Sequence, residues 1–268
     1  MGCRGYKGYK GFKGFKGYKV IVLAGFLVLA SAISASAQGP RPLVPVIAEL
    51  FTSEGCNSCP PADLLLEVLL NEQPIDGVLV VPMSEHVTYW DHQGWKDPFG
   101  SAQFTTRQQQ YGRRFNVESI FTPQLIVDGS REMVGSDKRA IAAALQEAAK
   151  SPKPELKVNA GGTDATLELS ATGAGLAVEK DAELWYAITE DRLVVDVKRG
   201  ENANRRLKHS GVVRVLRSAG DSGSATPTSI KLDAAWKRDN LRVIGFVQSR
   251  KTRQILSVGY VELGAARH

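Results

Sequence analysis

Cys56-Asn57-Ser58-Cys59 stands between a β-type run, Val44 to Thr52, and an apolar run at helical spacing, Ala62 to Leu70, with leucines at 65, 66, 69 and 70. A Cys-x-x-Cys at a strand-to-helix junction constrains the chain strongly, because the strand, the tight loop and the helix start must meet at one point. It also places the first sulfur at a helix N-terminus, where unpaired N–H groups and the helix dipole favour a thiolate. Pro60 and Pro61 fall in the first helical turn, where a missing N–H does little harm.

The first 37 residues read as an export leader. Arg4 and Lys7, Lys10, Lys13, Lys16 and Lys19 precede an uncharged apolar run, Val20 to Ile33, and Ala35-Ser36-Ala37 forms a small-residue cleavage site. The apolar run falls short of the ~20 residues needed to span a bilayer, so no stable membrane anchor is expected. The Gly-Tyr/Phe-Lys repeats between Gly5 and Lys19 belong to this basic leader. Six of the 34 Lys and Arg residues and none of the 28 Asp and Glu residues lie in it, so the net charge of +6 vanishes from the remainder. That balance gives no support for nucleic-acid binding. Cys3 leaves with the leader, and the exported chain keeps only Cys56 and Cys59. A secreted or periplasmic, oxidising location is therefore expected. A bridge spanning so few residues constrains the unfolded chain less than a long-range one, which weighs toward chemistry.

The remaining chain divides in composition near Ser151-Pro152-Lys153-Pro154. Before it the patterning predicts strand, helix 62–70, strand 77–83, helix 101–115, strand 124–128, a turn at Asp128-Gly129, strand 131–134 and a helix from Asp137 to Lys150. This order, β-α-β-α-β-β-α, predicts an α/β thioredoxin-like domain over residues 38–151. Residues 152–268 carry some eight short alternating segments between Gly, Asn and Asp turns, which predicts a separate all-β, sandwich-like domain.

Six residues emerge as candidates for chemistry. Cys56 is the expected attacking thiolate and Cys59 the resolving thiol; an inert short-range disulfide or half of a zinc site are the alternatives. Thr122-Pro123, just before the third strand, is expected as a cis peptide facing the sulfurs. The Thr122 backbone would then be free to pair with an extended substrate; a trans proline opening an edge strand is the plainer alternative. Glu49, among apolar neighbours of the first strand, is a candidate proton acceptor for the resolving thiol, or a strand-edge residue facing solvent. His86, just past the second strand, should emerge on the cysteine side and tune the thiolate, unless it is a packing residue. The aromatic insertion at 85–100 walls a substrate groove or plugs a long loop onto the core. Arg199 to Arg206 reads as a binding loop or a solvated hairpin turn.

Glu49 to Asp63, His86 with Tyr89-Trp90-Asp91, Gly94 to Phe99, Thr122-Pro123-Gln124, and Arg199 to Leu207 with His209 together resemble the signature of secreted bacterial proteins designated domain of unknown function 1223 (DUF1223). That resemblance implies a thioredoxin-like fold and export, with no settled activity. The leading expectation is a thiol–disulfide oxidoreductase acting on protein or peptide thiols and disulfides without a cofactor. A non-catalytic binding protein braced by the disulfide, and soft-metal capture such as Cu(I) by Cys56, Cys59 and His86, are the alternatives.

Overall fold

The computed structural model describes residues 43–264. The expected leader at 1–37, with Cys3, lies outside the described residues. Up to residue 150 the elements follow the expected order: β1 (Val44–Thr52), α1 (Pro60–Glu72), β2 (Val78–His86), α2 (Ala102–Phe115), β3 (Gln124–Val127), β4 (Arg131–Val134) and α3 (Lys138–Ala149). Nine strands follow: β5 (Lys157–Gly162), β6 (Thr166–Thr172), β7 (Ala182–Glu190), β8 (Leu193–Asp196), β9 (Arg206–His209), β10 (Val212–Asp221), β11 (Thr228–Lys231), β12 (Leu241–Ser249) and β13 (Ile255–Glu262).

The expected thioredoxin-like domain followed by a separate β sandwich does not form. The two halves share one mixed sheet of eight strands, ordered β13-β12-β7-β10-β2-β1-β3-β4. β1 and β2 are parallel, and β10 joins the free edge of β2, also parallel. The join is short for a local reason. Along that edge the Val80 N–H and C=O are both taken by the Gln73 side chain, Pro82 has no N–H to give, and only Ser84 N–H reaches across, to Gly211 C=O at 2.7 Å. Gly211 sits at φ +66 against the Pro82 carbonyl, where a Cβ would lie only 3.0 Å from that oxygen.

One face of this sheet carries α1 and α3, packed on Val46, Ala48, Leu50, Leu125 and Val127. On the same face of its other half, a three-stranded sheet, β11-β6-β5, buries Leu167, Leu169 and Ile230 against Leu184, Tyr186, Ile188 and Val243. The opposite face is filled by α2, whose Phe104 packs with Ile47, Met83, Val213 and Phe246. The sheet curls around this helix as a half-barrel. Ile255 N–H, at the start of β13, donates to the Asp128 carbonyl just after β3, although five strands lie between β13 and β3 in the sheet. β8 and β9 form a two-stranded ribbon of their own.

α1 starts where its sequence says it should. Cys59 occupies the N-cap, with Pro60 and Pro61 at the first two helical positions. Ala62 and Asp63 N–H groups both bond the Cys59 carbonyl. Leu65, Leu66 and Leu69 bury one face of the helix and Gln73, in the left-handed region, ends it.

Candidate functional site around the Cys56–Cys59 disulfide

Cys56 and Cys59 are joined as a disulfide at the N-terminus of α1. Both residues are fully buried, while Asn57 and Ser58 between them are exposed. Ser58 Oγ lies 3.4 Å from Cys56 Sγ.

Beneath the disulfide lies a nest of buried ionisable side chains. Asp63 stands four residues after Cys59 and shares its helix face, so the carboxyl sits one turn below the disulfide. Even-numbered residues of β1 and β2 point toward α1, which brings Thr52 and His86, register partners, under the same turn. The His86 Nδ1–H donates to Asp97 Oδ2 at 2.7 Å, and the same oxygen accepts the Glu54 N–H at 2.8 Å. Glu54 accepts from Trp95 Nε1–H at 2.7 Å and from His209 Nε2–H at 3.1 Å. The His86 and His209 rings meet edge to face at 5.0 Å, with Phe99 against both. Asp63 Oδ1, His86 Nε2 and His209 Nδ1 are buried with no hydrogen-bond partner among the described residues.

The electrostatics follow from this packing. Burial pushes the Asp63 carboxyl up, against the lowering pull of His209 and His86. Burial works against charge on His86, but the Asp97 carboxylate outweighs it and holds the imidazole above its ordinary value. Burial alone would raise Asp97; His86 and the N–H groups of Glu54 and Phe99 overcome it and bring that carboxyl to about 2. The nest therefore contains an acid biased toward its neutral form beside an imidazole–carboxylate ion pair. Among the described residues no set of three or more His, Cys, Asp or Glu side chains is arranged to hold a metal ion.

The other expected site residues divide. The Thr122–Pro123 peptide is cis, and Thr122 Oγ1 accepts from Trp90 Nε1–H at 2.7 Å. A Cβ placed on Gly135 would lie 3.1 Å from Pro123 and 3.2 Å from Ala62, which puts the proline beside the first turn of α1. Glu49 is placed elsewhere. As an odd-numbered residue of β1 it faces α2, away from the sulfurs, where its carboxylate takes Arg107 Nε–H at 2.7 Å and Tyr111 O–H at 2.6 Å. Gln248 and Glu85 complete that second buried cluster. Burial raises the Glu85 carboxyl well above its ordinary value, while Arg107 pulls it down. Glu49 is thus a structural counter-ion in the half-barrel, not a partner of Cys59.

The aromatic insertion is a wall of the nest: Trp90, Trp95, Asp97 and Phe99 all contribute contacts to it or to the loop above it. The 199–206 segment, expected as a binding loop or a solvated hairpin turn, is a largely exposed turn between β8 and β9 that is anchored by one buried residue. Asn202 is fully buried, and its Nδ2–H2 donates to the carbonyls of Glu54 at 2.8 Å and Cys56 at 2.9 Å. Glu201 Oε2 accepts the Asn57 N–H at 3.2 Å. Asp63, Glu54, Asp97, Asn202 and His209 were not singled out for roles by sequence reasoning. Only Asp63 left a legible signal, an acid on the buried face of an apolar helix, at the i+4 position from a cysteine.

Residues 47–248 match the model of a family described as a protein of unknown function, DUF1223. Among solved structures, protein AGR_C_4864 from Agrobacterium tumefaciens is similar at 27% identity, over 84% of this chain and 97% of that one, with a TM-score of 0.63. HBP35 of Porphyromonas gingivalis is similar at 12% identity, over 85% of this chain and 78% of that one, with a TM-score of 0.52, a likeness of fold alone. No curated protein matches the chain. Since the family model spans most of its length, from β1 to β12, this chain belongs to the DUF1223 family.

Proposed function

We propose that this protein is an exported thiol–disulfide oxidoreductase that exchanges electrons with protein or peptide thiols through Cys56 and Cys59. The observation that carries this reading is Asp63: a buried carboxyl one helical turn below Cys59, with its Oδ1 unpaired among the described residues and biased toward its protonated form. A purely structural disulfide has no use for an acid beneath it. Buried ionisable groups oppose folding unless paired, and their clustering next to a reactive bond supports a role in proton transfer.

In the oxidising direction a substrate thiolate attacks Cys56 Sγ. The new S–S bond forms as the Cys56–Cys59 bond breaks, and Cys59 leaves with the electron pair. It takes the proton from Asp63, whose carboxylate is then stabilised by the imidazoles of His86 and His209. A second substrate thiol, giving its proton to the Asp63 carboxylate, attacks the substrate sulfur of the mixed disulfide; the substrate S–S bond forms, the bond to Cys56 breaks, and Cys56 leaves as the thiolate at the helix N-terminus. The substrate dithiol loses two electrons and the cysteine pair gains them; the reverse sequence reduces a substrate disulfide. The basic, then apolar, then small-residue pattern of positions 1–37 supports export to an oxidising compartment, and no helix among the described residues is long and apolar enough to cross a membrane.

Complete burial of both sulfurs favours one second reading, a binding protein in which the disulfide braces the loop. The two readings part at one measurement. Purified protein should exchange disulfides with a reduced substrate protein, and Cys56→Ser should abolish the exchange. An unreactive pair with a potential below about −300 mV would make the disulfide a brace.

A further inference from the structure

Both sulfurs are covered, so any exchange at Cys56 requires something to move aside. The element bonded across the cysteine loop is the tip of the β8–β9 ribbon. Three backbone groups of the cysteine loop face it: the carbonyls of Glu54 and Cys56, taken by the two hydrogens of one Asn202 carboxamide, and the Asn57 N–H, taken by Glu201. The carboxamide is held in this orientation by Arg205, whose guanidinium donates to Asn202 Oδ1 at 2.7 Å. Glu201 and residues 204–206 are exposed, so the tip is a thin layer with solvent on its far side.

From this we infer, resting on the thiol-exchange reading, that Glu201 and Asn202 are a built-in stand-in for an extended, cysteine-bearing polypeptide, and that such a polypeptide displaces them to reach Cys56. Two acceptors and one donor within four residues are what the edge of an extended chain pairs with, since it presents N–H and C=O groups alternately along one side. Asn202 supplies the donors and Glu201 the acceptor with side chains instead. Removing the cap takes its side-chain donor from the Glu54 carbonyl and leaves the Cys56 carbonyl only the long bond from Cys59 N–H at 3.3 Å, and a ligand with its own backbone makes that loss good. A small thiol does not, which selects polypeptides over low-molecular-weight thiols.

The ribbon is suited to move. It pairs only with itself and belongs to neither larger sheet, so displacing its tip breaks no ladder elsewhere. Its inner end carries His209, which touches Glu54 and His86 in the nest. A substrate that lifts the tip therefore acts on the side chains beneath the disulfide as well as on its cover.

The test uses the full oxidised chain and follows reduction of Cys56–Cys59 by two probes at equal thiolate concentration: 2-mercaptoethanol, which has no peptide group, and a synthetic peptide with one central cysteine. The wild-type protein should react faster with the peptide. Asn202→Ala should speed the mercaptoethanol reaction about tenfold or more, matching the loss of two ordinary hydrogen bonds, and narrow the preference for peptide. Glu201→Gln, which keeps the buried carboxamide, should give a smaller change in the same direction and guards against a folding defect in the first variant. Equal mercaptoethanol rates in all three folded proteins overturn the cap while leaving exchange intact. A pair that neither probe reduces in any of them overturns the exchange reading and the cap with it.

Discussion

Replacing Asp63 by Asn tests the nest through stability and rate together. The side chain is 5% exposed and its carboxyl binds a proton more tightly in the folded chain than in the unfolded one. Below the ordinary value of 3.8 both states are protonated and Asp63 contributes its full share. As pH rises past that value the unfolded chain releases the proton and the folded chain keeps it, so stability falls until the folded carboxyl also ionises. Asn is nearly isosteric and does not titrate. The variant should therefore gain on the wild type by up to about 1.4 kcal/mol per pH unit above pH 4, with the gain levelling off where folded Asp63 ionises. Urea unfolding of both proteins from pH 3 to pH 9 measures that difference, since Glu54, His86, Asp97 and His209, which face the same space, are unchanged between them. The same variant should slow reduction of the disulfide by about a hundredfold, the lower end of what a well-placed acid contributes. Parallel stability curves across the range would show that Asp63 is not held protonated, and with them an unchanged rate would remove it from the proton path.

Two further outcomes follow from the buried pairs. Arg107→Met leaves Glu49 without its cation in the half-barrel and should cost about 3–5 kcal/mol in urea unfolding; a loss under about 1 kcal/mol would mean the carboxylate finds another partner. The His86–Asp97 pair should stabilise only within a window. Its contribution fades as pH rises above the ordinary histidine value of 6.5 through the raised one, and again as pH falls from 3.8 toward about 2, where Asp97 takes up a proton. His86→Gln should flatten both limbs of the melting-temperature profile, and a variant with the wild-type profile would refute the pairing.

Local order was legible and long-range pairing was not. Helix α1 announced itself by the Leu65, Leu66 and Leu69 spacing and its proline start, and the Asp128-Gly129 turn marked the β3–β4 hairpin. The position of β10 beside β2 had no signal of that kind. It depends on Gln73 sealing the Val80 edge, on the absent N–H of Pro82, and on Gly211 fitting against that proline, groups more than a hundred residues apart. Strand alternation in Leu184 to Ile188 says which side chains are buried but not which strand they lie beside, so the second half read as a domain of its own. At the site, Cys56, Cys59 and His86 stood out by type and junction. Glu49 misled because period-two patterning shows that a strand has two faces without saying which one meets α1. Asn202 was invisible because a buried carboxamide in a polar loop looks like any solvated turn.

The continuity of the eight-stranded sheet has a consequence for how the chain acquires its structure. A product ending near residue 150 would hold β1, β2 and α1 but leave Val78–His86 as an open edge, Glu54 without His209, and the Cys56 carbonyl without Asn202. The cysteine loop can reach its final form only after the ribbon and β10 have been made and brought back across the chain, a closure of high contact order and correspondingly slow. Until then the loop that carries the disulfide lacks the bonds from Glu201, Asn202 and His209 that fasten it in the finished molecule.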